Sequence, residues 1–184
     1  MLIGVTGTLA SGKDTLSNYL QGKGFFHFSL SDAIREECDR RGLPKDRDTL
    51  VAVGNELRGA LGNDILAKRA VEAIEKFERK NSVITSIRNP DEVRFLKKIP
   101  GFKLISVDAP IKMRYQRIVE RKRDSDFVDF ATFKAQEEKE MSGAVHEQDL
   151  KSVIGMADYE IVNDGMMEEF ERKIEQVLKE ISSD

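Results

Sequence analysis

The chain carries a single cysteine, Cys38, in 184 residues, so no disulfide can close within it. That points to a reducing compartment, since oxidising surroundings favour paired cysteines. Cys38 itself lies in the charged run EECDRR and reads as a helix residue with no chemistry of its own. Histidine is almost as scarce: His27 and His146 are too few and too far apart in pattern for a metal cluster or a triad. Long apolar runs are missing too, and the opening MLIGVTG is too short for a membrane span or a signal peptide. Excess positive charge is also lacking. A formal charge of −3 and a pI near 5.6 argue against nucleic acid as a partner and confine any basic site to a local cluster. There is no internal repeat and no low-complexity linker, and 40% hydrophobic with 34% charged residues suits one ordinary globular domain, expected in the cytoplasm.

What is present is an alternation of strand and helix patterns. The runs LIGV (2–5), FFHF (25–28), SVIT (82–85), KLISV (103–107) and YEIV (159–162) predict five strands. Helical patterns cover Lys13 to about Gly22, then 32–41 and 48–61, separated by Gly42 and Pro44, and then 64–79, which Asn63 could cap. Further helical patterns cover 90–98, 110–123 and 166–181. In the last, Met167, Phe170, Ile174, Val177, Leu178 and Ile181 share one face and predict core packing. Strands joined through helices imply a mostly parallel sheet in a three-layer α/β/α fold, with ligands beyond the carboxyl ends of the strands. Residues 122–150 are the least regular stretch and the expected place of a lid.

The run GTLASGKDT, Gly7 to Thr15, follows the first strand and opens the first helix. That is the context in which G-x-x-x-x-G-K holds phosphate, with backbone N–H groups converging on its oxygens and a helix N-terminus adding positive potential. Gly7, Thr8, Ala10, Ser11, Gly12, Lys13, Asp14 and Thr15 are therefore expected to bind ATP, with Lys13 bridging the outer phosphates. Asp14 stands where Ser or Thr would offer Mg²⁺ a hydroxyl, and its carboxylate repels the phosphates unless a metal lies between. Arg114, Arg117 and Arg121 fall on one helix face at i, i+3 and i+7, which reads either as a solvated face or as positive charge for the transferring group.

Together with the runs SLSDAIREE from Ser29, SIRNPDE from Ser86, VDAP from Val107 and ADYEIVNDG from Ala157, this loop resembles the P-loop nucleoside-monophosphate-kinase superfamily. Within it the chain is most similar to an adenylate-kinase-related group that also resembles dephospho-CoA kinases. The resemblance spans nearly the whole chain. It implies a P-loop kinase fold with a five-stranded parallel sheet. The core would take 1–120 and 151–184, an acceptor-binding helical region about 31–80, and a small helical lid about 121–150.

It implies roles as well. Arg35, in Ser31-Asp32-x-x-Arg35, would grip an acceptor phosphate, and Asp32 would be the candidate base, although it also reads as a first-turn residue of a helix capped by Ser31. Arg88, past the third strand, and Arg58 would join Arg35 on the acceptor side. Thr85 stands where such kinases usually carry an Asp near the metal, so carboxylate and hydroxyl would be exchanged between Asp14 and Thr85. Arg117, Arg121 and Arg123 would meet ATP and the transition state, and Asn163 the base, though a strand-ending turn explains Asn163 equally. The implied activity is ATP- and Mg²⁺-dependent phosphoryl transfer to a nucleoside or deoxynucleoside monophosphate. The alternatives are a dephospho-CoA kinase and a regulatory ATPase without a small-molecule acceptor. No N-K-x-D run supports a GTP switch.

Overall fold

In a computed structural model, residues 1–121, 129–141 and 148–183 are described. The five apolar runs form β1 (Leu2–Gly7), β2 (Phe26–Ser29), β3 (Ser82–Thr85), β4 (Phe102–Asp108) and β5 (Tyr159–Val162). All pairings are parallel, in the order β2-β3-β1-β4-β5. The first strand therefore lies at the centre, flanked by β3 and β4, and its carboxyl end opens between theirs. Parallel strands need crossovers. Here these include α1 (Lys13–Gly22), α2 (Leu30–Arg41), α3 (Arg47–Leu61), α4 (Ile65–Lys76) and α5 (Pro90–Leu96), followed by α6 (Ile111–Arg121), α7 (Phe130–Met141) and α8 (Leu150–Gly155), with α9 (Met167–Ser183) closing the chain.

Two cores, one on each face, make the three layers. Ile3, Val5, Val83, Ile105 and Val107 turn to one face with Leu16 and Leu20 of α1 and Phe170 and Ile174 of α9. Ile84 and Leu104 turn to the other, against α2, α3, α4, α5 and α8. This is the period-two alternation of a strand buried on both sides. Cys38 is fully buried in the second core, in keeping with a packing residue.

Local chemistry accounts for several boundaries. Asp46 caps α3 by accepting from the Thr49 N–H at 3.0 Å. Asn89 and Glu92 form a capping box at the start of α5, with Pro90 in its first turn. Asn63 is not the cap of α4: Asp64 holds that position, and Asn63 donates to Asp91 at 2.8 Å. The fourth helix ends at Lys76 rather than 79, because Glu78 takes a left-handed φ of 50°. In the stretch expected to be least regular, α7 runs for 12 residues. Asp129 accepts from the Thr132 N–H at 2.7 Å, and Phe133 is buried. Residues 122–128 and 142–147 of the expected lid lie outside the described residues. Among the described residues, no helix is long and apolar enough to cross a membrane.

Candidate functional site

The loop between β1 and α1 is shaped by two glycines that no other residue could replace without strain. Gly7 has φ 134°, and a Cβ there would lie 1.9 Å from the Val107 carbonyl oxygen. Gly12 has φ 112°, and a Cβ would lie 2.4 Å from the Asn163 side-chain nitrogen. The loop then holds itself: Ser11 Oγ donates to the Thr8 carbonyl at 2.9 Å, the Lys13 ammonium donates to the same oxygen, and Thr8 Oγ1 donates to Asp108 at 2.7 Å. No side chain caps α1 at Gly12, and the first turn of the helix lines a cleft.

Behind the loop stand Asn163 and Arg117. Asn163 donates from its amide to the Ser11 carbonyl at 2.8 Å. Arg117 reaches the Ala10 carbonyl at 3.4 Å and the Asn163 carbonyl at 3.1 Å. The amide that the sequence offered for a base is thus engaged with the loop.

The cleft measures about 630 Å³. It brings together Ala10, Gly12, Lys13, Asp14 and Thr15 of the loop and α1, Asp32 and Arg35 of α2, Thr85 and Arg88 at the end of β3, Arg117 and Arg121 of α6, and Asn163 past β5. Gly7, Thr8 and Ser11 shape the loop from within rather than line the space. Asp32 and Arg35 are paired at 2.9 Å, and Arg88 donates to Gln148 at 2.8 Å. A second cleft of about 340 Å³ continues along α3, walled by Leu50, Val51 and Arg47, and shares Arg35, Arg88 and Arg121 with the first.

Two expected arginines are turned elsewhere. Arg58 lines the second cleft, but its side chain is 2% exposed and its Nε and Nη2 donate to Glu92 at 3.1 and 3.0 Å. Arg114, first of the arginine stripe, is buried and gives both terminal nitrogens to Glu137 of α7. Arg123 lies outside the described residues.

For a metal, the described residues that line the cleft offer few oxygen ligands. Among the described residues no group of three or more His, Cys, Asp or Glu could hold one. Asp14 and Thr85 do line the same cleft. One carboxylate and one hydroxyl suit Mg²⁺, which keeps most of its ligands as water and phosphate oxygen. The glycine cradle likewise suits phosphate.

Other lining residues carried no signal in the sequence. His27, expected to be packing or a satisfied polar group, is satisfied by Thr85 Oγ1 at 2.8 Å, yet it lines the cleft. Burial lowers its pKa, with Asp32 and Asp14 pulling the other way. Ser86 lines both clefts at a left-handed φ of 63°. Met167, assigned to the core stripe of α9, is instead 52% exposed and lines the cleft beside Gly165.

The sequence and the fold have known relatives. The AAA domain family matches residues 3–141. A UPF0200 protein of Thermococcus onnurineus (strain NA1) is 35% identical over 186 residues, covering 98% of each chain. Among solved structures, shikimate kinase from Bacteroides thetaiotaomicron superposes with a TM-score of 0.59 at 14% identity, covering 99% of this chain and 98% of that one. Dephospho-CoA kinase from Campylobacter jejuni does so with a TM-score of 0.53 at 18% identity, covering 99% and 97%. Likeness at that identity is one of fold, and the fold is that of the P-loop kinases. The chain belongs to the AAA domain family and to the UPF0200 proteins.

Proposed function

We propose that the protein is an ATP-dependent phosphotransferase acting on a small nucleotide-like acceptor, foremost a nucleoside or deoxynucleoside monophosphate. One observation carries this reading: Lys13 and Arg117, which belong to the phosphate loop and its brace, share a single cleft with Arg35 of α2 and Arg88 past β3. A nucleotide-binding protein that only hydrolyses ATP has no use for these two further guanidiniums. An acceptor phosphate does, because a planar fork matches its oxygens.

ATP would lie on the glycine loop, with Lys13 on its outer phosphates and Mg²⁺ between them and Asp14 and Thr85. Bound there, Mg²⁺ would neutralise charge on the transferring group. Arg121, at the junction of the two clefts, supports a role in steadying the same charge. The partner is a small molecule rather than nucleic acid or membrane, a reading supported by the charge of −3. The single buried cysteine supports a cytoplasmic setting.

A specific observation favours a second acceptor. Asp32 lines the cleft with its side chain 59% exposed and one carboxylate oxygen paired with Arg35, which leaves the other within reach of an attacking hydroxyl. Dephospho-CoA offers such a hydroxyl; a monophosphate does not need the base. The deciding experiment is acceptor-stimulated ADP formation against a panel of nucleoside monophosphates and dephospho-CoA. Stimulation by a monophosphate supports the first reading, and stimulation by dephospho-CoA that Asp32→Asn abolishes supports the second. ADP release that no acceptor accelerates sinks both and leaves a regulatory ATPase, with Thr85 in place of a carboxylate.

A further inference from the structure

Glu92 is wholly buried, and every side of its carboxylate is occupied. Its Oε2 accepts from the Arg88 N–H at 2.9 Å and the Asn89 N–H at 3.0 Å. Its Oε1 accepts from Arg58 Nε and Nη2 at 3.1 and 3.0 Å, across from α3. A capping box needs only the Asn89 bond. The bond to Arg88 and the pair with Arg58 exceed what starting a helix requires. The ion pair with Arg58 is itself weak evidence of a stabilising purpose, since apolar residues of similar volume often serve a buried position as well as an ion pair does.

We infer that Arg58 and Glu92 are positioning residues, a buried clamp that sets the backbone of Arg88 and thereby aims its guanidinium at the acceptor phosphate. The inference rests on the reading of Arg88 as an acceptor contact. The turn that carries Arg88 is held from several directions. Ser86, two residues earlier, has φ 63°; the Arg88 carbonyl accepts from the Asp149 N–H at 2.9 Å; the Arg88 N–H is fixed by Glu92. Glu92 is in turn fixed by Arg58. The helix that supplies Arg58 also supplies Arg47, Leu50 and Val51 to the wall of the second cleft. The wall and the aim of Arg88 are thus one rigid assembly. The packing around Arg58 fits that purpose: Gly54 sits mid-helix, where a Cβ would come within 3.3 Å of Arg58 Nη1 and 3.0 Å of Ile34 Cδ1. Bidentate phosphate binding tolerates little misalignment of the guanidinium plane, so a small rotation of this turn is felt at once in affinity.

The test is calorimetric titration of inorganic phosphate into protein saturated with ADP and Mg²⁺, for the parent, R58K, R88A and the double variant. Arg58→Lys keeps the charge but loses the two-nitrogen grip on Glu92. Arg88→Ala should weaken phosphate about tenfold, R58K about fivefold, and R58K added to R88A no further, with ADP affinity unchanged throughout. A folded R58K that binds phosphate like the parent overturns the inference. So does an equal further loss in the R88A background, which a merely structural role would give. If R88A itself binds phosphate like the parent, the acceptor reading of Arg88 falls, and the clamp with it. Should R58K lose its thermal transition, Glu92→Gln, which keeps the volume and removes the charge, is read by the same criteria.

Discussion

Asn163, one residue past β5, donates its side-chain amide to the Ser11 carbonyl in the middle of the phosphate loop at 2.8 Å. The bond is buried, and it joins residues 152 apart in the chain. It fills the space above Gly12, where any Cβ would displace it.

Asn163→Ala should therefore cost about 1–3 kcal/mol of stability, because the Ser11 carbonyl is left buried without its donor. Nucleotide affinity should fall with it. A brace and a base contact differ in discrimination. If the residue braces the loop, ATP and GTP weaken by the same factor in a displacement assay. A loss confined to ATP would return Asn163 to the adenine.

The pair between Arg114 and Glu137 makes a sharper demand on stability. Arg114 also donates to the Ala109 carbonyl at 2.7 Å and to the Leu9 carbonyl at 3.4 Å. Glu137→Ala leaves that buried guanidinium only the more distant Asp108 carboxylate, 3.8 Å from its Nε, at a cost approaching the about 3–5 kcal/mol of a broken buried pair. The urea midpoint should drop accordingly, while Lys134→Ala on the exposed side of the same helix should leave it nearly unmoved.

At Asp14 the prediction concerns magnesium. A carboxylate in the first turn of α1 repels ATP until a cation intervenes, so affinity should climb steeply with Mg²⁺. Asp14→Ser removes the repulsion and should flatten that dependence, binding ATP better than the parent when Mg²⁺ is withheld. A variant indistinguishable from the parent at every Mg²⁺ level excludes any role for Asp14 in holding the metal.

Glu37 supplies a pH dependence. Hydrogen bonds from Arg40 and then Arg41 hold its carboxyl down to about 2, from an ordinary value of 4.5. The folded state thus binds the proton less readily than the unfolded chain. The stabilisation is complete above the unfolded value and is lost as pH falls towards about 2. Carbon-detected NMR should find this carboxyl protonating well below the ordinary glutamate range, and Glu37→Gln should make the acid limb of the stability profile shallower.

The parts of this fold that could be read from the sequence are those whose causes are local. Five β-branched or aromatic runs, and a glycine loop between the first strand and a helix, announce themselves within a dozen residues. The helix α7 did not, because it has no Val, Ile or Leu to set a period and its anchor, Phe133 against Tyr115, is a contact between elements. Arg58 was assigned to the acceptor on motif position alone. Its partner lies 34 residues on, and only the packing of α3 against α5 reveals that the guanidinium faces inward. Likewise His27 and Thr85 are neighbours only because β2 and β3 run side by side in register. Pairings of that kind depend on strand order, which no single segment encodes.

The two clefts hold Leu9, Ser31, Arg35, Ser86, Arg88 and Arg121 in common. Occupants of the two clefts would therefore meet the same side chains. A ligand that draws a shared arginine towards itself alters the affinity its neighbour meets, and reciprocity makes the factor identical whichever of the two arrives first.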